Sequence, residues 1–391
     1  MDFNFDQIIN RENTDSVKCN FNKEYFGAED VLPMWVADMD FAAPQPVIEA
    51  LIRRARHGIY GYSRVGEHHY DSFITWIEKR HNWRIEKEWI TFCPGVVPAL
   101  HWLVKAFTNP GDRVVVQEPV YHPFFRVIKN NGCEILNNPL QLAGEQYVMD
   151  LADLERQLDT RVKLFFLCNP HNPVGRVWDK EELMALGKIC LKNNIIIVAD
   201  EIHSDIIFPG HKHIPLAALS AELAQNTVVC TSPSKTFNLA GLQISNIIIA
   251  NPILRRKFRS ILELNQIHSP NTFAITAQEA AYSQGEEWLE QLLGYLEDNL
   301  NCLSDFIARE IPRIKLIKPQ GTYLVWLDCR DLGLEPAALK EFLLNRARVA
   351  LNDGSIFGQS GNGFERINIA CPRALLLQGL RRIKNACQEL F

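Results

Sequence analysis

Short apolar runs that end in turn residues recur through the middle of the chain. They are EWITFCPG, DRVVVQEP, VKLFFLCNP, NNIIIVADE, NTVVCTSPS and SNIIIANP. Runs of this length, rich in Val, Ile and Phe and closed by Pro, Gly, Asn or Asp, are typical of buried β-strands. Between several of them lie amphipathic stretches such as DKEELMALGKICLKN and AELAQ, which predict helices. Strands that alternate with helices predict an α/β fold with a largely parallel sheet, covered on both faces.

The two ends of the chain carry longer helical patterns. An irregular start leads into the helical pattern PQPVIEALIRRARHG. From about residue 285 a long helix, EEWLEQLLGYLEDNLNCLSDFIARE, is followed by the strand pattern GTYLVWLDC and a last helix, RALLLQGLRRIKNACQEL. We therefore predict a large domain over residues 50–284. We expect residues 285–391, completed by residues 1–49, to form a smaller α/β domain.

Composition narrows the class of protein. The chain of 391 residues is 47% hydrophobic and 22% charged, as expected of a globular protein. Its formal charge is −5 with scattered basic residues, so we expect neither nucleic acid nor a membrane surface as a partner. No apolar run approaches the roughly 18 residues of a membrane-spanning helix. The ten cysteines lack paired C-x-x-C spacing and the N-terminus lacks a signal-peptide pattern, which predicts a cytoplasmic protein with reduced thiols and no metal site.

Residues that can carry chemistry follow several of the predicted strands. Asp200 ends IIIVAD, Asn172 lies in the turn NPHNPVG, Gly95 opens a helical run, and Lys235 follows NTVVC. Taken singly, these residues are more typical of a helix cap, a turn or a surface charge than of a binding site. Together they are expected at one edge of one sheet, where α/β folds bind ligands. An amine, a carboxylate, an amide, and hydroxyls with free backbone N–H groups complement pyridoxal 5′-phosphate.

The order of the motifs resembles a known superfamily. NPHNPVG, DEIH, SPSKTFNLAGL and RINIACPR follow one another as in the fold type I pyridoxal-phosphate enzymes of aminotransferase class I/II. Within that superfamily, MWVADMDFAAP, HGIYGYSR, EPVYHPFF and DEIHSD are similar to the carbon–sulfur β-lyases typified by MalY and PatB, which cleave cystathionine and related cysteine S-conjugates. The resemblance implies a large domain with a mainly parallel seven-stranded sheet and a smaller α/β C-terminal domain.

The resemblance also assigns roles to individual residues. It implies that Lys235 binds the cofactor covalently, that Asp200 pairs with its pyridine nitrogen, and that Asn172 contacts its 3-oxygen and the substrate. Arg366 is expected to clamp the substrate α-carboxylate, because a planar guanidinium fits a carboxylate with two hydrogen bonds. Tyr121 is expected to stack on the ring, although packing in the core is an alternative. The expected phosphate-binding residues are Gly95, Val96, Val97, Ser232, Ser234 and, from the neighbouring subunit of a homodimer with composite sites, Tyr62.

Two positions depart from the wider superfamily. His203, also expected at the cofactor, stands where many aminotransferases have a tyrosine, and Gln243 stands where many have a phosphate-binding arginine. The second change removes a cation, so that amides and hydroxyls must bind the phosphate. Both substitutions fit the lyase branch.

The resemblance predicts β-elimination. Lys235 is expected to act as the base for the α-proton, and departure of a thiolate then leads to pyruvate and ammonia. One alternative is an aminotransferase for an aromatic or neutral amino acid; another is a regulatory partner of a transcription factor, a side role known in this family. A nicotinamide-dependent dehydrogenase is not predicted, because no G-x-G-x-x-G follows an early strand. Trp35, Tyr62 and the loop NDGSIFGQSG are expected near the substrate side chain.

Overall fold

The computed structural model describes residues 3–390 and contains fifteen strands. They are β1 (Leu32–Pro33), β2 (Ile90–Cys93), β3 (Arg113–Val116), β4 (Glu134–Asn137), β5 (Gln141–Ala143), β6 (Gln146–Val148), β7 (Val162–Cys168), β8 (Ile196–Asp200), β9 (Thr227–Thr231), β10 (Ser245–Ile249), β11 (Lys315–Ile317), β12 (Leu324–Asp328), β13 (Val349–Ala350), β14 (Asn352–Asp353) and β15 (Phe364–Asn368). All six predicted apolar runs form strands of the main sheet.

Helices separate most of these strands. They are α1 (Val17–Asn20), α2 (Asn22–Phe26), α3 (Gln45–His57), α4 (Glu67–His81), α5 (Val96–Phe107), α6 (Pro123–Asn130), α7 (Leu151–Gln157), α8 (Lys180–Lys192), α9 (Ala221–Asn226), α10 (Pro233–Thr236), α11 (Pro252–Leu264), α12 (Thr272–Gln284), α13 (Glu286–Glu310), α14 (Pro336–Glu341) and α15 (Arg373–Gln388). Helix α8 begins at a capping box in which Asp179 and Glu182 each accept from the other's backbone N–H, as its sequence favours. Throughout residues 3–390, no helix is both long and apolar enough to cross a membrane.

The main sheet has seven strands in the order β2-β10-β9-β8-β7-β3-β4. Six of them share one direction, and β10 runs antiparallel to its neighbours β2 and β9. The predicted α/β class with a mainly parallel seven-stranded sheet is confirmed. The seventh strand, β4, is an edge strand with partly exposed residues, so it lacks the continuous apolar run that marks the other six.

Both faces of the main sheet are buried, which explains the continuous apolar runs. Side chains alternate along a strand, so Leu164 and Phe166 of β7 join one apolar core while Phe165 and Leu167 join the other. The first core includes residues of α5, α6 and α11, and the second includes residues of α8, α12 and α13. This packing holds the carboxyl ends of five neighbouring parallel strands in one row.

A second sheet of four antiparallel strands follows in the order β11-β12-β15-β14. The amino-terminal segment reaches this part of the molecule through β1, which pairs in parallel with β13. That pairing supports our proposal that residues 1–49 and 285–391 together form the smaller domain, with residues 50–284 as the larger one.

Candidate active site

A cavity of about 230 Å³ opens at the carboxyl edge of the main sheet. Its walls come from the segments that follow β2, β3, β7, β8 and β9, together with Ala37 from the amino-terminal segment. Most of the residues singled out in the sequence line it, namely Gly95, Val96, Val97, Tyr121, Asn172, Asp200, His203, Ser232, Ser234, Lys235 and Gln243. The fold therefore brings together side chains that lie far apart in the sequence.

Lys235 lies in α10, the short helix directly after β9. The Ser232 hydroxyl caps this helix by accepting from the backbone N–H of Ser234, 3.1 Å away, and it donates to the carbonyl of Ile244 at 2.7 Å. The amine Nζ of Lys235 donates to the Ala37 carbonyl at 2.6 Å. Burial lowers the pKa of this amine to about 8, which brings its uncharged form within reach near neutral pH.

Asp200 ends β8 and is buried at the floor of the cavity. One carboxylate oxygen accepts from the backbone N–H of Ile202 at 3.3 Å. Burial raises the pKa of Asp200 to about 7, against the opposing effects of that hydrogen bond and the Lys235 charge. Within residues 3–390, Asp200 forms no ion pair. A buried carboxylate without a counter-ion is suited to a cation brought by a ligand.

Arg366 presents the opposite case, a buried guanidinium without an acidic partner in the described part of the chain. It lies on β15 and donates to the side-chain oxygens of Asn172, at 2.8 Å, and Asn352, and to the Trp35 carbonyl at 3.0 Å. Its carbon Cζ lies 4.9 Å from the centre of the Phe357 ring, and its Nε lacks a hydrogen-bond partner. Burial lowers the pKa of Arg366 to about 10. The uncompensated charge suits a substrate carboxylate.

Two aromatic side chains complete the walls of the cavity. Burial and the nearby Asp200 raise the pKa of Tyr121 to about 12, and its ring also packs edge-on against Phe124. Tyr121 thus both lines the cavity and joins the core. His203 is buried, and its pKa is lowered well below the ordinary value by burial and then by the Lys235 charge, so its imidazole is neutral. Its Nδ1 has no hydrogen-bond partner.

The residues present fit pyridoxal phosphate. Helix α5 begins after Gly95 without a side-chain cap, so backbone N–H groups at its start, including those of Val96 and Val97, are available to a phosphate. Asp200 suits the ring nitrogen, and Lys235 supplies the amine. The Ser232 hydroxyl already donates to Ile244, whereas the Ser234 side chain lines the cavity. We propose the predicted roles on this basis.

Two of the candidates do not line the cavity themselves. One is Arg366, which instead donates to the lining residue Asn172, and the other is Tyr62. It lies between α3 and α4 and its side chain is fully exposed. Its prediction concerned a neighbouring subunit, to which an exposed side chain is free to extend.

Groups of three or more potential metal ligands are also absent from residues 3–390.

Sequence reasoning missed two groups beside Lys235. The backbone carbonyl of Ala37 accepts from Lys235, and the Tyr323 hydroxyl donates to the same carbonyl at 3.0 Å. A backbone acceptor leaves no signal in its own side chain. The only pointer was the motif MWVADMDFAAP, which carried the family resemblance without indicating a contact.

Several known proteins are similar to this chain in sequence or in fold. Residues 29–383 match the family described as aminotransferase class I and II. The chain is 49% identical to cystathionine β-lyase PatB of Bacillus subtilis, covering 98% of this chain and 99% of that protein. It is 33% identical to protein MalY of Escherichia coli, covering 99% and 100%. The crystal structure of cystalysin from Treponema denticola, which contains pyridoxal 5′-phosphate, superposes with a TM-score of 0.97 at 36% identity, covering all of both chains.

Proposed function

The chain belongs to the aminotransferase class I and II family, and we propose that it cleaves L-cystathionine or a related L-cysteine S-conjugate by β-elimination. It is a carbon–sulfur β-lyase that depends on pyridoxal 5′-phosphate. The observation that carries the assignment of the site is a pair of buried charges without ion-pair partners in the described part of the chain: Asp200, which lines the cavity with Lys235, and Arg366, which donates to the lining residue Asn172. One charge matches a ring cation and the other an α-carboxylate. The lyase branch itself is carried by the similarity to PatB.

Each side chain has a definite task in this reaction. Arg366 and Asn172 hold the α-carboxylate and orient the α-hydrogen towards Lys235, whose amine takes that proton. The Asp200 carboxylate would hold the ring nitrogen of the bound cofactor. The bound cofactor supplies an electron sink for the pair left at the α-carbon. The β-carbon–sulfur bond then breaks with its electron pair on sulfur, and the net reaction of substrate with water yields a thiol, pyruvate and ammonia.

The state of the lysine implies a pH dependence. A base must be uncharged to accept the α-proton, and burial lowers the pKa of Lys235 to about 8. Catalysis should therefore rise with pH through about 8 and then level off.

Substitution of the lysine tests the proposal. Lys235→Ala removes the amine that joins the cofactor and takes the α-proton, so we expect it to abolish both the visible absorption of bound pyridoxal phosphate and the release of thiol. The assay supplies cystathionine without a keto acid and measures pyruvate and thiol over many turnovers. Turnover that requires an added keto acid would instead support the alternative, an aminotransferase for an aromatic or neutral amino acid.

The assembly is the second part of the proposal. Members of the family are generally homodimers, and we infer that Tyr62 reaches the phosphate of the neighbouring subunit's cofactor. The full exposure of Tyr62 supports this inference, as does Gln243, which brings no cation to the cavity. We further infer a cytoplasmic location, supported by ten free cysteines. A regulatory protein partner stays a prediction, which Lys235→Ala would test by abolishing catalysis while leaving regulation intact.

A further inference from the structure

One irregular segment contacts both Lys235, the proposed base, and Arg366, the proposed ligand of the substrate carboxylate. We call residues 35–41 the strap; they form neither helix nor strand. Arg366 donates to the Trp35 carbonyl at 3.0 Å, and Lys235 donates to the Ala37 carbonyl at 2.6 Å. The strap therefore fixes how far apart the two functional side chains lie.

Side chains rather than backbone groups hold most of the strap. Asn368 of β15 donates to the carbonyls of Val36 and Asp38, both at 2.6 Å. Asn238, three residues after Lys235, donates to those of Met39 and Phe41 at 3.0 and 2.9 Å. Such specific contacts on an irregular backbone restrict its position at both ends.

The strap also carries a pair of carboxylates clamped by cations. Arg11 binds Asp38 through two hydrogen bonds of 2.6 and 3.2 Å, and it reaches Asp40 at 2.6 Å. Lys18, which is almost fully buried, binds Asp40 at 2.7 Å. The two cations and two anions balance. Bidentate geometry and partial burial make the Arg11–Asp38 contact stronger than an ordinary surface ion pair.

The Asp38 carboxylate lies close enough to Lys235 to influence the charge of its amine. Burial is the main cause of the lowered pKa of Lys235, and Asp38 is the first charge that opposes it, ahead of Asp200, while Arg366 adds to the lowering. Arg11 stands behind Asp38 and offsets its charge. The other ionisable groups around the amine are His203, Tyr121 and Tyr323.

We propose that Arg11 and Asp38 are positioning residues for the base, which fix the Ala37 carbonyl under the Lys235 amine and set its protonation through their balanced charges. The inference rests on the proposed role of Lys235. Neither residue takes a proton from the substrate. They act through the strap and through charge.

Two neutralising variants separate this proposal from a merely structural role. Asp38→Asn removes an anion near the lysine nitrogen, so the pH midpoint of the visible absorption of the cofactor-loaded enzyme should fall by about one unit. Arg11→Gln removes the cation that pairs with Asp38 and leaves that anion unbalanced, so the midpoint should rise, by less than Asp38→Asn lowers it. The rising limb of kcat/KM against pH should move in the same directions. Loss of structure alone would not move the two variants oppositely.

A third variant separates charge from geometry. Arg11→Lys keeps the positive charge but loses the two-pronged contact, so its spectral midpoint should stay near that of the parent enzyme while KM rises several-fold. If Asp38→Asn fails to fold, Arg11→Lys and Arg11→Gln together still test the inference.

The exposed pair Arg348–Asp30 supplies the matched control. It joins the same two residue types at 3.3 Å, close to the same amino-terminal segment, and does not line the cavity. Arg348→Gln and Asp30→Asn should leave both midpoints in place. The inference would be overturned if Asp38→Asn and Arg11→Gln moved the pH midpoint in the same direction. It would also be overturned if they moved it no further than the control variants do. If the visible absorption of the cofactor-loaded protein persists in Lys235→Ala, the proposed function itself would instead be overturned.

Discussion

Asp200 and Asp205 are buried carboxylates on one segment, yet their surroundings differ completely. Asp200 faces the cavity and has no ion pair within residues 3–390, and burial raises its pKa to about 7. Asp205, on the far side of the segment, accepts from Trp76 at 3.2 Å, His81 at 2.9 Å and Thr236 at 2.7 Å. Burial alone would raise the pKa of Asp205, but the contacts with His81 and Thr236 lower it.

The two carboxylates differ in whether the folded chain supplies their partners. Asp205 has its partners within the chain and anchors the residue next to Lys235, whereas Asp200 lines the cavity with no ion-pair partner in the described part of the chain. A buried charge with all its partners stabilises the fold, and one without them costs stability. The unmatched carboxylate therefore marks the site more clearly than burial does.

The largest effect should come from neutralising the unmatched acid. Asp200→Asn should lower kcat/KM about 100- to 1,000-fold, because the amide cannot stabilise a ring cation as a carboxylate does. In cofactor-free protein the same variant should be more stable than the parent, and more so at pH 8 than at pH 5, by about 2 kcal/mol. The sign follows from the raised pKa: folding keeps Asp200 protonated, which costs stability as the pH rises from about 4 to about 7. Steady-state kinetics and urea unfolding at both values provide the measurements. Equal gains at the two values would contradict the assignment.

Asp205→Asn should show the opposite balance. We expect a loss of about 2 kcal/mol of stability at neutral pH, because several hydrogen bonds to a charged group are weakened. The pKa of Asp205 is lowered in the folded protein, so this loss should disappear as the pH falls through that lowered pKa. Unfolding measured from neutral to strongly acidic pH tests the sign. A thousandfold loss of activity without loss of stability would break the distinction between the two acids.

The smallest effect concerns one partner of Asp205. Trp76→Phe keeps most of the aromatic packing but removes the indole N–H that contacts the carboxylate, so it should cost about 1 kcal/mol. Ring contacts with Phe237 and Tyr282 should persist. Comparing the melting temperatures of Trp76→Phe and Asp205→Asn shows whether the indole carries a minor share. A larger loss in Trp76→Phe would place the main support of this region in the aromatic packing.

The sequence allowed much of the fold to be predicted, because strands buried on both faces are continuous apolar runs. It did not indicate that β10 runs antiparallel, since an apolar run carries no direction. The edge strand β4 gave no run at all. The convergence of Asp200, Asn172 and Lys235 followed from a rule about parallel strands.

Other parts of the site depended on resemblance or were missed. Arg366 comes from the second sheet, and no pattern in its strand shows which sheet edge it faces. The Ala37 carbonyl has no side-chain signature. Asp205 was part of the quoted motif DEIHSD, but its partners His81 and Trp76 lie on α4, and only the folded chain brings them together. Contacts between distant elements depend on packing, which local patterns do not encode.

The reversed direction of β10 has one more consequence. The segment from Ser232 to Ile244 leaves the main sheet and returns to it at the same edge, and the contact between these two residues closes it into a ring. Lys235 and Gln243 both belong to that ring and both line the cavity. The Lys235 amine and part of the cavity wall thus belong to one continuous segment of the chain. Exchanging this single loop between relatives should alter the cavity wall while leaving the rest of the scaffold in place.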